Sequence, residues 1–419
     1  MEWSGRARRG GLALLAGLVL CPAQGLAQPL ATPRVTHRGL ASLTLGLELD
    51  RAIGQRVAGN QVSSPLGLQE AFGMLSAGAR GRTLDQIVSG LQLAPAGRPL
   101  LSTLSRMAAD LRHRTAAGPV RLTVANAVWA QAGLPLGASF QTALDRLFGA
   151  PPAAPDFRGD PAGAERLINA WAAKATNGQI TQVYAPGSLP AATRMVLTDA
   201  IELDAPWLYP FDPSHSAARA FHRLDGSTGA VPTMEADRLD IPYAHGARVQ
   251  AVELPYADRR LSMVLLVPDR GRFAQVTRTL SAAGVEGLLG RLRTTSVRLV
   301  MPKLSITARP PLADVLRSLG VRDAFDAAHA DFSGITPGRG FALTAPRQVV
   351  TLRVGELGTQ AAAVTSGGLE VTSIPRTKVS LSVDRPFLFL IRDRATGTVV
   401  FLGRVLDPGT VRARTTPDH

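Results

Sequence analysis

Apolar residues recur at helical spacing in the first half of the chain and alternate with polar ones in the second. Leu43, Leu45, Leu47, Leu49 and Ile53 predict a largely buried helix over residues 42–57. Ser64-Pro65 opens a second one. Proline suits the first helical position, Leu68, Ala71, Phe72 and Leu75 form the apolar stripe, and Gly78 stops it. Thr83 with Gln86 three residues on reads as a capping box for a short helix, and residues 101–113 as another helix. Residues 121–131, rich in β-branched and aromatic side chains, are the first clear strand. Asp160-Pro161 starts a helix through Leu167, Ile168 and Trp171 that ends at a left-handed cap, Asn177-Gly178. Strands then dominate. Residues 249–255 and 260–267 form a hairpin around Tyr256-Ala257-Asp258-Arg259, and residues 297–306 alternate as one strand. A helix over 311–319, closed by Gly320, precedes strands at 349–354, 379–383, 387–391 and 399–405, the last two joined by a turn at Thr396-Gly397. Helices first and strands later describe an α+β fold in one domain.

Residues 355–375 break this pattern. The stretch is poor in large apolar residues and lies between two clear strands, and a loop of that length inside a compact domain is functional or a tether. Two details speak against a plain tether. Thr359, Ala361, Ala363 and Thr365 alternate with Gln360, Ala362 and Val364, so one face carries only small side chains, as a strand slipped between packed neighbours would need. No proline precedes Pro375, so every backbone N–H is free to join a ladder.

The run Glu356-Leu357-Gly358-Thr359-Gln360-Ala361-Ala362-Ala363 resembles the proximal hinge of inhibitory serpins. Further blocks follow in that family's order over residues 40–409: Asn60 with Ser64-Pro65, Gly78-Ala79-Arg80-Gly81-Arg82-Thr83, Ile168-Asn169-Ala170-Trp171, Glu253-Leu254-Pro255-Tyr256, Pro302-Lys303-Leu304, Asp384-Arg385-Pro386-Phe387 and Phe401-Leu402-Gly403-Arg404-Val405. The resemblance implies a serpin fold, with three β-sheets, a cluster of helices and an exposed reactive-centre loop at about residues 355–378. It implies an inhibitor of serine-type proteases whose loop is cut as bait and then inserts into the main sheet, trapping the acyl-enzyme. Counted from Glu356 with the spacing usual in inhibitory serpins, the resemblance implies a reactive bond at Thr372–Ser373, which suits an elastase-like or subtilisin-like pocket. The rival, Arg376–Thr377, would suit a trypsin-like one. The region where the sheet parts maps onto Ser64, Gly67, Asp199, Trp207 and Gln348. Asp199 puts a carboxylate where the family usually has an amide, so it must find donors such as Gln348 or be partly neutral.

Composition changes this picture in three places. Arg6, Arg8 and Arg9, the apolar run from Gly11 to Leu20 and the small residues around Ala27 read as a secretion signal over residues 1–27. A segment 28–39 follows it, and a tail at 410–419 closes the chain, with a secreted or periplasmic location as the expectation. Cys21 is the only cysteine and lies within that signal, so the mature chain would have no disulfide and no thiolate ligand. The net charge of +14 invites a polyanion, but the arginines are dispersed; Arg106, Arg112 and Arg114 are the best local cluster, and neither nucleic acid nor membrane is expected as a partner. No hydrolase, zinc-protease or P-loop signature occurs, and the seven histidines show no metal-ligand spacing. The expectation is therefore a monomer without metal or cofactor. The remaining alternatives are an enzyme, a polyanion binder, or a serpin-like carrier or chaperone that no longer inhibits.

Overall fold

Helices begin where side-chain chemistry supplies their first partners. The computed structural model describes residues 36–93, 118–338, 340–360 and 378–409. The Thr36 hydroxyl accepts from the Gly39 N–H ahead of α1 (His37–Gly54). Ser64 does the same for Gly67 ahead of α2 (Pro65–Ser76), with Pro65 at the first helical position as expected. The next helix, α3 (Gly81–Gly90), corrects the capping box. Thr83 lies inside it, buried, and its hydroxyl accepts from the Asp331 N–H. The Gln86 carbonyl accepts from the N–H groups of Arg322 and Asp323. Both side chains serve tertiary contacts that local spacing cannot reveal. After α4 (Ala138–Ala143), α5 (Pro161–Ala175) is capped by Asp160 and followed by Asn177 and Gly178, both with left-handed φ. Then come α6 (Phe273–Thr279), α7 (Ala282–Leu289) and α8 (Leu312–Ser318). The helix expected over 101–113, with its arginine cluster, lies outside the described residues.

Fourteen strands occur among the described residues: β1 (Gln61–Ser63), β2 (Arg121–Ala130), β3 (Met195–Pro206), β4 (Ala217–His222), β5 (Thr228–His245), β6 (Val249–Pro255), β7 (Leu261–Pro268), β8 (Arg293–Pro302), β9 (Leu304–Ala308), β10 (Arg347–Gly355), β11 (Gly358–Thr359), β12 (Val379–Ser382), β13 (Phe387–Asp393) and β14 (Val399–Val405). Nine form a sheet in the order β1-β14-β13-β7-β6-β5-β8-β12, with β4 beside β5. The other five run β2-β3-β11-β10-β9. The larger sheet is two arrays joined through β5. Its first half pairs with β4 and its last residues with β6, and a break in register between Ala236 and Leu239 separates its two stretches of pairing with β8. The alternation over 297–306 proves to be two strands in different sheets. Val297, Leu299 and Met301 face the core from β8, Leu304 and Ile306 face it from β9, and the phase slips by one residue at Lys303.

The main core lies between the sheets, where Ile201 and Leu203 of β3 and Leu352 of β10 meet Met263, Met301 and Phe389. Burial of such side chains contributes roughly 1.5–3 kcal/mol each. The opposite face of the smaller sheet, through Val196, Ala200 and Val349, packs on Ile168 and Ala172 of α5. Leu197, at the start of β3, joins the helical core of Phe72, Leu75 and Phe140. Asp199 therefore sits between a residue of the helical core and one of the inter-sheet core.

Candidate functional site

The middle of the smaller sheet is a seam, closed at one end and held apart at the other. At the closed end β3 and β10 run parallel and pair directly, Thr198 to Ile201 opposite Arg347 to Val350. Asp199 faces Gln348 across this seam, and both are buried. The Gln348 carboxamide Nε2 donates to Asp199 Oδ2 at 2.7 Å and to the Ser64 carbonyl at 3.0 Å, while its Oε1 accepts from the Ser64 N–H at 3.0 Å. The Ser64 hydroxyl, which caps α2, also donates to the Val400 carbonyl at 2.6 Å. One serine thus ties the seam to a helix and to the other sheet. Gly67 leaves room for the carboxylate, since a Cβ there would lie 2.4 Å from Asp199 Oδ2. Asp199 Oδ1 has no hydrogen-bond partner among the described residues. Burial pushes the Asp199 carboxyl well above the usual carboxylate range; the Gln348 hydrogen bond opposes this, and the nearby Glu70 adds to it.

At the other end the same two strands do not touch. β11 lies between them, antiparallel to both. Gly358 is opposite Pro206 and Gly355, and Thr359 is opposite Ala205 and Val354. Gly358 has φ 150 and passes so close to β3 that a Cβ would lie 2.2 Å from the Ala205 carbonyl oxygen, so no other residue fits. Thr359 is fully buried, and its hydroxyl is 2.7 Å from the Tyr256 hydroxyl. Burial pushes the Tyr256 phenol up, ahead of the opposing effect of that hydrogen bond, and the ring stays neutral. Tyr256 stacks on Trp207 with ring centres 4.7 Å apart. Trp207 then holds the turn before β11: its indole N–H donates to the Gly355 carbonyl and its backbone N–H to the Leu357 carbonyl, both at 2.9 Å. Glu356 accepts from the Ser216 hydroxyl at 2.5 Å and pairs with Lys303. Burial works to raise the Glu356 carboxyl, but the hydrogen bonds from Lys303 and Ser216 outweigh it and hold the group below its ordinary value.

The residues singled out from sequence thus fall into two clusters. Ser64, Gly67, Asp199 and Gln348 meet at the closed end, and Gln348 is the donor Asp199 required. Glu356, Gly358, Thr359 and Gln360 lie with Trp207 at the parted end, where Trp207 supports the hinge and makes no contact with Asp199. Ala361, Ala362, Ala363, Thr372, Ser373, Arg376 and Thr377 lie outside the described residues. Three contributors were not anticipated as site residues: Lys303, Ser216 and Tyr256. Lys303 and Tyr256 each stand in a quoted sequence block. The visible signal for Lys303 is a lone charge at the point where the alternation of β8 and β9 changes phase.

Comparison with known proteins agrees with this geometry. The family profile described as "Serpin (serine protease inhibitor)" matches residues 41–408. An uncharacterized serpin-like protein of Thermococcus kodakarensis is 33% identical over 84% of this chain and 83% of its own length. Plasminogen activator inhibitor 1 of Bos taurus is 29% identical over 83% of this chain and 87% of its own. Among solved structures, human thyroxine-binding globulin complexed with its ligand superposes with a TM-score of 0.79 at 26% identity, covering 89% of this chain and 99% of that one.

Proposed function

The chain belongs to the serpin family, and on that premise we propose that it inhibits serine-type endopeptidases as a suicide substrate. The single observation that carries the reading is β11, two residues of the hinge already lodged between strands that pair directly further along. The sheet is parted only where the loop enters it, so insertion is a ladder begun and not completed. The target's serine oxygen attacks the Thr372 carbonyl, the Thr372–Ser373 amide breaks, Ser373 leaves as a free amine, and the protease stays on Thr372 as an ester. The freed segment then extends β11. Each residue added moves one residue back along both neighbours, so Thr365 arrives opposite Asp199 and Gln348 together. Its hydroxyl can both donate and accept there, replacing the direct Gln348–Asp199 hydrogen bond that insertion breaks.

The uncharged, small to medium side chains before the bond favour an elastase-like or subtilisin-like target outside the cell. The likeness to thyroxine-binding globulin supports a second reading, a carrier that does not trap. One experiment separates them. Incubation of the protein with elastase-like, subtilisin-like and trypsin-like proteases should give a denaturant-resistant complex with one of the first two, and release a C-terminal fragment beginning at Ser373. A fragment beginning at Thr377 moves the target to the trypsin-like class. Loop cleavage without any complex rejects inhibition and leaves the carrier.

A further inference from the structure

β11 ends at Thr359, and the backbone bends at Gln360. Its φ is 54, left-handed for a residue with a Cβ. The Gln360 N–H still makes a ladder bond, donating to the Arg353 carbonyl at 2.8 Å. The side chain then reaches along β10, and its Nε2 donates to the Thr351 carbonyl at 3.0 Å. Thr351 is buried, so its carbonyl needs a donor in the parted seam. In an antiparallel ladder every second N–H faces the same neighbour. After Gln360, the next N–H toward β10 belongs to Ala362, and the register of β11 brings Ala362 opposite Thr351.

We propose that Gln360 is a positioning residue, a latch whose carboxamide keeps the place of the Ala362 N–H and holds the hinge at two inserted residues. The latch fills one rung of the ladder with a side chain. It satisfies Thr351 and ties the end of β11 to β10, so β11 neither slips out nor lengthens without the Gln360 amide letting go. Release has little resistance built in, because Gln360 Oε1 is buried and has no partner among the described residues. On insertion residue 360 becomes extended opposite Arg353 and Asp204. The Arg353 side chain faces solvent, so the Gln360 amide would swing to the outer face. Its role would then be confined to the waiting state.

The latch itself is tested without any protease, and only its release rests on the trapping reading. In intact Gln360→Ala, and in Gln360→Glu, which keeps the size and removes the donor, hydrogen exchange at the Thr359 and Gln360 amides should quicken by about five- to tenfold, the worth of one hydrogen bond. Unchanged exchange in both variants overturns the latch. Each intact variant should also melt below the intact parent, whereas the loop-cut variants should melt with the cut parent, since the side chain is then in solvent. An equal drop in intact and cut forms makes Gln360 an ordinary structural contact and overturns the proposal. If cutting the parent loop does not raise its melting temperature, the trapping reading fails, and the exchange result still decides the latch.

Discussion

Asp199 is an ionisable group in a place that favours a neutral one. It is buried, its Oδ1 is unpartnered among the described residues, and Gln348 supplies its one donor. Glu70, from α2, makes ionisation harder, and the uncharged Asn126, opposite Asp199 in β2, donates toward Glu70 at 3.4 Å. A carboxyl whose folded pKa lies above its unfolded value carries no penalty in acid. Stability falls as pH rises from the ordinary range near ~3.9 to the raised value, because only the unfolded chain ionises freely there. Asp199 should therefore make the intact protein less stable at neutral pH than at pH 4, as far as this residue decides it. Asp199→Asn keeps the acceptor for Gln348 and removes the titration. It should gain stability at pH 7 and almost none at pH 4. Denaturant melts of both proteins at the two values check this; an unchanged pH slope in the variant would remove Asp199 from the account.

At the scale of elements, β11 makes the small-residue face of the loop a testable constraint. Thr359 has no exposed surface and is enclosed by Ala205, Val354 and Tyr256. Thr359→Arg would bury an unpaired guanidinium, at a cost of several kcal/mol, and on insertion Ala361→Glu would bury an unpaired carboxylate at the next inward-facing position. Both variants should be cut by the target at near-normal rates and trap little of it, which the ratio of complex to cleaved inhibitor on a denaturing gel measures. Undiminished trapping in both would mean that the loop does not insert through this seam. Gly358 and Thr359 were legible because their chemistry is local: a glycine where no Cβ fits, and a small residue that is fully buried. The Ser64 cap and the Asn177-Gly178 stop were legible for the same reason. The long strand β3 was not, because nearly all of it is buried and it shows no alternation. Nor was the break between β8 and β9, since both strands face one core and only the slip at Lys303 marks the change of sheet. The partners of the hinge, Lys303 to Glu356 and Tyr256 to Thr359, are joined by topology, which no local pattern records.

For the whole molecule, the proposed trapping requires a fold that is not at its most stable arrangement. β3 and β10 already make direct hydrogen bonds at the closed end, so insertion must break these before it can replace them. Under the proposal that exchange would be favourable in the end, because an inserted strand would be bonded on both sides and bury its small face, whereas the closed seam bonds each neighbour once. On this reading the intact chain is held back by the loop's two attachments, at Gly355 and at β12, which pairs with β8 in the other sheet. An intact loop can supply β11 only as far as its tether allows; a cut loop has no such limit. Cleavage of an ordinary surface loop lowers stability or leaves it level, because it frees chain ends without adding contacts. Cleavage here should raise it. A surplus of about 5 kcal/mol, spread over a chain of this length, moves the melting midpoint by roughly 6 °C. Scans of intact and loop-cut protein at one rate and one pH make the comparison, with the same rate used because unfolding of a metastable form is kinetically governed. A cut form that melts at or below the intact one would show that β11 is a fixed strand of the sheet and not the start of an insertion.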